Sequence, residues 1–190
     1  TEDFLNGVRI INGIIHGYSD GYIDSFTELN NMVYPEINKY TSAFVVNGIS
    51  YISGDYFQKY DKATDTWVAL SGEGSKGPSF VIDNIAYRCS PASDMTKIQK
   101  LNTTTDTWSD VCTLPYSGYG TTAFVLNNKA YICGGATADT YNKMQVFNPV
   151  LNTVTIYPNM PAKKTFAHSV VFGNKGYIFD GYVAGYATEG

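Results

Sequence analysis

One sequence unit recurs five times along the chain, and this repeat constrains the fold more than any other feature. The unit is an apolar stretch, a two-residue turn and a second apolar stretch. The second turn residue stands at positions 7, 48, 84, 128 and 174, so the copies are 36 to 46 residues apart. The turns read Asn6-Gly7, Asn47-Gly48, Asp83-Asn84, Asn127-Asn128 and Gly173-Asn174. Such residues tolerate positive φ, which is typical of two-residue β-hairpin turns.

A second column of residues runs in phase with the first. An aromatic or apolar residue ends a third stretch, and Trp or a substitute for it follows seven positions later. The pairs are Phe26 with Val33, Tyr60 with Trp67, Leu101 with Trp108 and Phe147 with Val154. Each unit therefore predicts four short strands. No window has a sustained apolar period of 3.6 residues, so we expect almost no helix.

A repeated four-stranded antiparallel sheet of about 40–45 residues is the signature of a β-propeller blade. The pattern resembles the kelch repeat, whose second strand ends in a Gly pair and whose later aromatic precedes a spaced Trp. The Gly pair is complete as Gly134-Gly135, and the Trp is present at 67 and 108. Residues 160–177 are similar to the blade-to-blade passage of that family, with Lys164 where the family often has Arg. The resemblance covers essentially the whole chain and implies an all-β, kelch-type β-propeller of four-stranded antiparallel blades. A WD40 propeller is a weaker match, because no Gly-His…Trp-Asp pairing occurs.

The repeats also predict the domain organisation. We interpret residues 1–190 as a single kelch-like propeller, with repeats at approximately 1–40, 41–77, 78–120, 121–165 and 166–190. The first repeat lacks most of its first strand and the last stops after its second strand, so about four to five blades are visible. We therefore expect part of a larger propeller, or a propeller completed by another segment or chain. A small closed ring of four or five blades is the alternative.

Composition argues against several classes of partner. Lys and Arg number 13 and Asp and Glu 17, a net charge of −4. A nucleic-acid scaffold needs clustered cations, so we expect no nucleic acid. No apolar run approaches the roughly 18–20 residues that cross a bilayer, so we expect no membrane insertion. The many Tyr, Asn, Thr and Ser residues slightly favour an extracellular or virion-surface setting over a cytoplasmic one.

The long connections indicate a ligand-binding face. Strands alternate in direction, so second-to-third-strand and inter-blade connections emerge at the same end. The predicted connections are Gly13–Gly21, Gly54–Tyr56, Ser90–Thr96 and Gly134–Lys143 within blades, and Tyr34–Thr41, Leu70–Pro78, Cys112–Gly120 and Pro158–Thr165 between them. Function usually lies on loops held by a rigid scaffold. The candidate ligand-binding residues are His16, Tyr18, Tyr34, Tyr56, Tyr116, Tyr119 and Tyr141. Tyrosine combines a rigid apolar ring with a hydroxyl, which suits protein or glycan partners.

Residues suited to catalysis are few. The two histidines are His16 and His168, and we expect His168 in core or turn packing because it falls in the repeat pattern. The resemblance implies two enzyme alternatives. A galactose oxidase-like copper site would need a Tyr–Cys arrangement with both histidines together, which the spacing does not support. A sialic-acid mutarotase-like site would need arginines, and only Arg9 and Arg88 are present. We therefore predict no catalytic residue, no metal site and no cofactor.

The cysteines and one tyrosine column are expected to be structural. Cys89, Cys112 and Cys133 cannot all pair internally, and their spacings fit no zinc template. We expect three small buried hydrophobic residues, with Cys112 on the loop side. One repeat column is predicted to pack between blades; it contains Tyr51, Tyr87, Tyr131 and Tyr177.

These observations favour a non-catalytic recognition or scaffold module that binds a protein or glycan partner through its long-loop face. Two settings remain open, an intracellular adaptor and a surface or virion adhesin or structural protein that binds a host receptor or glycan. The alternative from another class is a kelch-type carbohydrate enzyme, whose missing residues would come from absent blades.

Overall fold

The computed structural model describes strand segments 3–5, 8–11 and 14–17, and then residues 41–137 and 141–183. All regular structure in this described part is β-strand, as the sequence predicts. Contacts divide the chain into two compact units, Thr1–Asn30 and Asn31–Gly190. Among the described residues, no helix has the length and apolar character needed to cross a bilayer.

The first unit contains one antiparallel sheet, sheet 1, with its strands in chain order. The strands are β1 (Asp3–Leu5), β2 (Val8–Ile11) and β3 (Ile14–Gly17). Strand β3 lies where the sequence predicted a loop, Gly13–Gly21, and that prediction was wrong for residues 14–17. The reason is a second Asn-Gly pair, Asn12-Gly13, across which Ile11 pairs with Ile14 in a second hairpin.

The second unit contains three four-stranded antiparallel sheets and a two-stranded one, each with its strands in chain order. Sheet 2 consists of β4 (Ser42–Val46), β5 (Ile49–Ser53), β6 (Phe57–Asp61) and β7 (Thr66–Ala69). Sheet 3 consists of β8 (Ser79–Ile82), β9 (Ile85–Cys89), β10 (Lys97–Asn102) and β11 (Thr107–Thr113). Sheet 4 consists of β12 (Tyr119–Leu126), β13 (Lys129–Ala136), β14 (Met144–Asn148) and β15 (Thr153–Tyr157). Sheet 5 consists of β16 (His168–Phe172) and β17 (Lys175–Phe179).

The predicted two-residue turns join the first and second strands of these sheets. Asn47 and Gly48 have φ values of 53° and 73°, and Asp83 and Asn84 have values of 49° and 59°. Positive φ at both central residues is the geometry whose twist matches that of the flanking strands. The turn chemistry that carried the repeat prediction is therefore present in the fold.

Successive sheets pack face to face, and their first strands lie side by side, β4 with β8, β8 with β12 and β12 with β16. The core between sheets 2 and 3 contains Phe44, Val46, Tyr51, Phe57, Ala86 and Leu101. The core between sheets 3 and 4 contains Phe80, Ile82, Tyr87, Cys89, Ile98, Ala130, Ile132 and Phe147. A single sheet cannot bury both of its faces, so each relies on its neighbours, as propeller blades do.

Two predicted connections are shorter in the structure. Strand β11 continues through Thr113 and β12 begins at Tyr119, so the connection predicted at Cys112–Gly120 spans only 114–118. Cys112 therefore lies in a strand, half-buried against the core. Strand β13 continues through Ala136, because Tyr119 pairs with it across the sheet.

Candidate functional site

The long connections of the second unit emerge at one end of its sheets, named here the loop face. They join second to third strands at 54–56, 90–96 and 137–143, and successive sheets at 70–78, 114–118 and 158–167. Residues 138–140 lie outside the described part of the chain. Because each sheet is an antiparallel meander, these connections fall at the end opposite the tight turns.

Backbone hydrogen bonds join the connections of the loop face to one another. The Ser75 amide donates to the Gly54 carbonyl at 2.6 Å. Farther along the chain, the Lys164 amide donates to Tyr141 at 2.9 Å, and the Lys164 carbonyl accepts from Gly135 at 2.8 Å. Each inter-sheet connection is thus held against a connection of the preceding sheet. The loop face is therefore a fixed surface, as recognition sites on rigid scaffolds require.

The opposite end, the hairpin face, is formed by the tight turns and is polar. The Asn47 amide donates to the Asn84 side-chain oxygen at 3.2 Å. The Asn128 side-chain amide donates to Asp83 at 3.2 Å. These bonds connect equivalent turns of neighbouring sheets. The side chains of these turn residues therefore hold neighbouring sheets together.

Four of the seven predicted ligand-binding residues have described side chains. Tyr56 is 47% exposed in the connection between β5 and β6. Tyr116, Tyr119 and Tyr141 are half-buried in sheet 4 or in the connections that flank and interrupt it. Tyr119 is the first residue of β12 and not part of a loop.

The other three predicted residues cannot be placed in a site. The backbone of His16 belongs to strand β3, which corrects its predicted position in a loop. Its side chain lies outside the described residues, as do Tyr18 and Tyr34.

Two of the predicted tyrosines meet at one threonine. The Tyr119 hydroxyl donates to the Thr137 carbonyl at 3.1 Å. The Tyr141 hydroxyl is hydrogen-bonded to the Thr137 side-chain hydroxyl. Tyr116 lies apart from this pair, with the Lys143 ammonium over its ring at 5.1 Å from the ring centre. Tyrosine hydroxyls therefore fix the ring positions on this side of the loop face.

Sequence reasoning missed two aromatic residues that extend this group. Phe166 stacks on Tyr182, with ring centres 5.6 Å apart and planes 8° apart, and it lies 6.1 Å from the Tyr119 ring. We name Tyr119, Phe166 and Tyr182 the aromatic patch. Backbone hydrogen bonds of 3.0 Å in both directions between Thr165 and Tyr182 bring its members together. This pairing joins segments that no local pattern connects.

Phe166 adopts an unusual backbone conformation at the centre of the patch. Its φ is 52°, a left-handed value that bulky residues rarely adopt and that costs about 1–3 kcal/mol. Its amide donates to the Gly120 carbonyl at 2.8 Å. Gly120 also has positive φ, and a Cβ there would meet the Thr165 hydroxyl at 2.5 Å. Such strain persists only where surrounding contacts determine the conformation, and it concentrates at functional sites.

A cavity of about 570 Å³ opens beside the patch, between the first strands of four sheets. Its lining comes from the loop-face ends of these strands and the residues just before them, 41–43, 76–78, 120–123 and 166–169. This volume falls within the range of roughly 300–1,000 Å³ of small-molecule and side-chain pockets. The aromatic patch and the cavity share Phe166 and therefore form one continuous site.

The cavity lining is polar as well as aromatic. Lys76 and His168 contribute ionisable groups. Thr122 and Ser169 are hydrogen-bonded at 2.8 Å, and Ser169 also donates to the Ala123 carbonyl at 2.9 Å. His168 is exposed on this cavity, so the expectation of core or turn packing was wrong. It begins strand β16 and belongs to the cavity lining, and its ring lies 6.0 Å from that of Phe179.

Lysines adjoin the site in the same connections. Lys163 is exposed, and the Lys164 ammonium donates to the Asp180 carbonyl at 2.6 Å. Together with Lys143 they give this part of the loop face a basic character within a chain of net charge −4. Lysines on this side of the loop face favour ligands that carry negative charge.

The one arginine with a described side chain, Arg88, has a structural environment. It is buried, and its guanidinium donates to Gln99 at 2.9 Å and to the Glu73 carbonyl at 2.7 Å. It also lies over the Trp108 ring, 4.5 Å from the ring centre. Burial lowers the pKa of Arg88 to about 10, although the nearby Glu73 charge opposes this change. Arg88 thus holds the connection at 70–78 through its hydrogen bond to Glu73.

The cysteines offer neither a disulfide nor an activated thiol. All three are free, and Cys89 and Cys133 are fully buried. Burial raises the pKa of all three thiols, in the case of Cys133 to about 12, so none is held as a reactive thiolate. Among the described residues, no group of three or more His, Cys, Asp or Glu side chains is placed to hold a metal ion.

Known proteins resemble the chain in sequence or in fold. The chain is 25% identical over 162 residues to Kelch-like protein 25 of Xenopus tropicalis, which covers 82% of this chain and 28% of that protein. The solved structure of YjhT matches with a TM-score of 0.65 and 21% identity, covering 80% of this chain and 60% of that one. No family model matches the sequence. The chain therefore spans less than a third of its curated relative, and the structural likeness is one of fold.

Proposed function

Because the chain has kelch repeats and the fold of a kelch-type β-propeller, we propose that it is a non-catalytic recognition module whose loop face binds a partner protein. The contact centres on the aromatic patch and the adjoining cavity. Tyr116, Tyr141 and the neighbouring lysines form its rim.

The aromatic patch is the observation that carries this proposal. Aromatic side chains dominate the binding energy of protein interfaces, because they bury large areas and lose little conformational entropy. Here Tyr182 is 55% exposed, yet its ring is stacked on Phe166 and its backbone is paired with Thr165. An exposed aromatic ring that is already held in place is preorganised for binding.

The cavity gives the partner a matching chemistry. Its lining includes Lys76, His168 and Phe166. An acidic side chain beside an apolar one complements this lining and the Lys163–Lys164 rim. We therefore propose a partner segment that presents an apolar anchor flanked by Asp or Glu.

The local hydrogen bonding favours binding over catalysis. Ser169 stands next to His168, but its hydroxyl donates to the Ala123 carbonyl. A serine nucleophile instead needs its proton directed at a base. His168 packs near the Phe179 ring, with ring centres 6.0 Å apart. The Ser169 and His168 side chains are therefore arranged for contact with a partner and not for proton transfer between them.

A photo-crosslinking experiment tests the proposed face. A photoreactive phenylalanine analogue replaces Tyr182 in one variant and Val150 in the other. Val150 is 82% exposed in the turn between β14 and β15, on the hairpin face, and therefore serves as the matched control. We expect the analogue at 182 to crosslink a discrete partner that the analogue at 150 does not. Equal crosslinking from both positions, or none from 182, would contradict the proposal.

A substitution pair then measures the contribution of the patch to affinity. Removal of an aromatic anchor costs about 2 kcal/mol or more, which is roughly a 30-fold loss. Tyr182→Ser should weaken binding of the crosslinked partner by about that factor, and Val150→Ser should leave it unchanged. A glycan array probed with the same variants covers the second ligand class. Glycan binding that depends on Tyr182, without a protein partner, would replace this proposal with a lectin function.

A further inference from the structure

Sheet 5 lacks, among the described residues, the partners that complete the other sheets of the second unit. In sheets 2, 3 and 4 the second strand pairs on one side with the first strand and on the other with the third. Strand β17 is the second strand of sheet 5, and in the described part of the chain its ladder partner is β16. Within the described residues, the opposite edge of β17 therefore presents backbone donors and acceptors to which another strand can pair.

A stacked aromatic pair marks the same surface on each complete sheet. Phe44 stacks on Tyr51 with ring centres 5.3 Å apart, and both are buried. Phe80 stacks on Tyr87 in the same way, and both are again buried. In sheet 4, Phe124 stacks on Tyr131 at 5.0 Å, but these two rings are only half-buried. Equivalent surfaces therefore differ in how fully they are covered.

The third and fourth strands of the next sheet cover the first two pairs. Phe147, in the third strand of sheet 4, lies 5.1 Å from Tyr87. Trp108, in the fourth strand of sheet 3, lies 6.1 Å from Phe44, and Leu101 of the third strand belongs to the same core. Sheet 5 has no described third or fourth strand, and the pair in sheet 4 is open at the corresponding place.

The open place is a groove of about 610 Å³ between sheets 4 and 5. Phe124 and Tyr131 line it on the sheet 4 side, together with Tyr157, and Ile178 lines it on the sheet 5 side. At Gly176 a Cβ would overlap the Phe124 ring, so β17 packs closely on sheet 4. Strands β16 and β17 of sheet 5 thus already pack on sheet 4. The groove lies where the third and fourth strands of the other sheets would be.

A buried glutamine recurs in the third strands. The Gln145 copy holds the preceding connection directly, whereas Gln99 accepts from Arg88 and donates to Asp110. Each third strand has Gln at the same position, Gln58, Gln99 or Gln145, and all three are buried. The Gln145 side chain accepts from the Tyr116 amide at 2.9 Å and donates to the Tyr116 carbonyl at 2.7 Å. It therefore clamps the connection that leads into its own sheet.

The connection leading into sheet 5 has backbone groups equivalent to those that Gln145 bonds. Leu114-Pro115-Tyr116 corresponds to Met160-Pro161-Ala162, and both Leu114 and Met160 are buried. The Leu114 amide donates to Thr96 at 2.6 Å, and the Met160 amide donates to Asn142 at 2.8 Å, in equivalent connections. Ala162 thus stands where Tyr116 does, and it lines the groove.

From these equivalences we infer that the groove between sheets 4 and 5 is a docking site for a β-hairpin whose first strand reads apolar-Gln-x-apolar. The first strand pairs with the open edge of β17. The apolar residue two positions after its Gln covers Phe124 and Tyr131, as Leu101 and Phe147 cover the earlier pairs, and its Gln clamps the backbone of Ala162. Its register follows from the complete sheets, in which the Gln pairs with Ile52, Arg88 or Ile132. The incoming Gln therefore lies opposite Ile178.

A second copy of this chain is a poorer occupant. Its hairpins of the required pattern, β6–β7, β10–β11 and β14–β15, are each paired within their own sheets. To donate one, a second copy would have to lose a complete sheet. A free hairpin of the same chemistry loses nothing comparable, since an isolated hairpin has only marginal stability of its own.

A peptide experiment tests the inference on residues 1–190. The probe is a synthetic peptide with the sequence of residues 143–158, which contains β14 and β15, and the control peptide carries Gln145→Ala. We expect saturable binding by fluorescence anisotropy and slowed hydrogen exchange at the amides of Lys175–Phe179. Loss of the two clamp bonds should weaken the control peptide by about tenfold.

Two protein variants locate the binding on the groove side of β17. Ile178→Lys places a charge opposite the incoming Gln, and Phe179→Lys places one on the other face of the same strand, where Phe179 is exposed. We expect Ile178→Lys to abolish peptide binding and Phe179→Lys to preserve it. The inference is overturned by the absence of binding and exchange protection at millimolar peptide, or by equal affinity of both peptides. Self-association that Ile178→Lys abolishes would instead identify a second copy as the occupant.

Discussion

The interfaces on the two sides of sheet 4 are built from the same repeat but are covered to different extents. Toward sheet 3, Phe147 fills the space against the stacked Phe80 and Tyr87 rings. Toward sheet 5, Phe124 and Tyr131 form the same stack, yet they border an open groove. The repeat thus specifies the stacked pair, whereas its burial depends on the third strand of the neighbour. Stability in such an array is a property of adjacent sheets and not of one repeat.

The largest expected difference is between aromatic residues of sheets 4 and 5. Phe147→Ala should lower the free energy of unfolding by about 3–5 kcal/mol, because it leaves a cavity between sheets 3 and 4. Phe172→Ala should change it by less than about 0.5 kcal/mol, because Phe172 is 79% exposed in sheet 5. Urea denaturation followed by two spectroscopic probes measures both. Comparable losses for the two variants would show that sheet 5 is as well covered as sheet 4.

A smaller effect is expected from the glutamine clamp. Gln145→Met keeps most of the side-chain volume but leaves the amide and carbonyl of Tyr116 without their partner. We expect a loss of about 1–3 kcal/mol in the free energy of unfolding. Faster hydrogen exchange should appear in residues 114–118, the connection that the Gln holds. An unchanged exchange rate there would mean that the clamp does not organise the connection, and it would weaken the argument for the docking hairpin.

The smallest expected effect is a pH dependence of the folding stability. It arises from buried residues of the covered interfaces. Burial raises the pKa of Tyr51, and its 3.0 Å hydrogen bond to Asp106 and the charge of that carboxylate raise it further. A raised folded-state pKa contributes stability that is fully present below the unfolded value of about 10 and is lost as the pH rises above it. Burial also raises the pKa of Tyr87 and of the cysteine thiols, which act in the same direction.

Two conservative substitutions separate these contributions. Tyr51→Phe should cost about 1 kcal/mol at neutral pH, through the lost hydrogen bond, and should flatten the decline in stability above about pH 10. Tyr177→Phe, at the equivalent but exposed position of sheet 5, is the matched control substitution. Denaturation midpoints measured between neutral pH and about pH 11 provide the test. Identical profiles for wild type and Tyr51→Phe would contradict the assigned role of burial.

Much of the fold could be predicted, because the informative residues act locally. Asn47-Gly48 and Asp83-Asn84 specify their hairpins through backbone conformation alone, and these hairpins set the phase of the strands. The tyrosine column was predicted to pack between blades. This prediction is confirmed at Tyr51 and Tyr87, which a neighbouring sheet covers. It is wrong for Tyr177, which is exposed, because burial there requires strands that no local pattern can provide.

The candidate site was less predictable for the same physical reason. Tyr119 and Tyr141 were predicted as ligand-binding residues from composition and their position in the repeat, and their role in binding stays a prediction. Phe166 and Tyr182 come together only through a positive φ and a backbone pairing between separate segments. His168 was assigned to packing because its place in the repeat does not reveal that first strands border a cavity. Long-range geometry therefore limits what sequence alone reveals about this surface.

Hydrogen exchange compared strand by strand tests the contrast between covered and open interfaces most directly. The second strands β9, β13 and β17 are equivalent in the repeat, and β9 and β13 have partners on both sides. We predict that the amides of Lys175–Phe179 in the isolated chain exchange about 100-fold or more faster than those of Ile85–Cys89 and the 129–133 part of β13. Equal protection of all three strands would contradict the account, because β17 would then already have a partner on its outer edge.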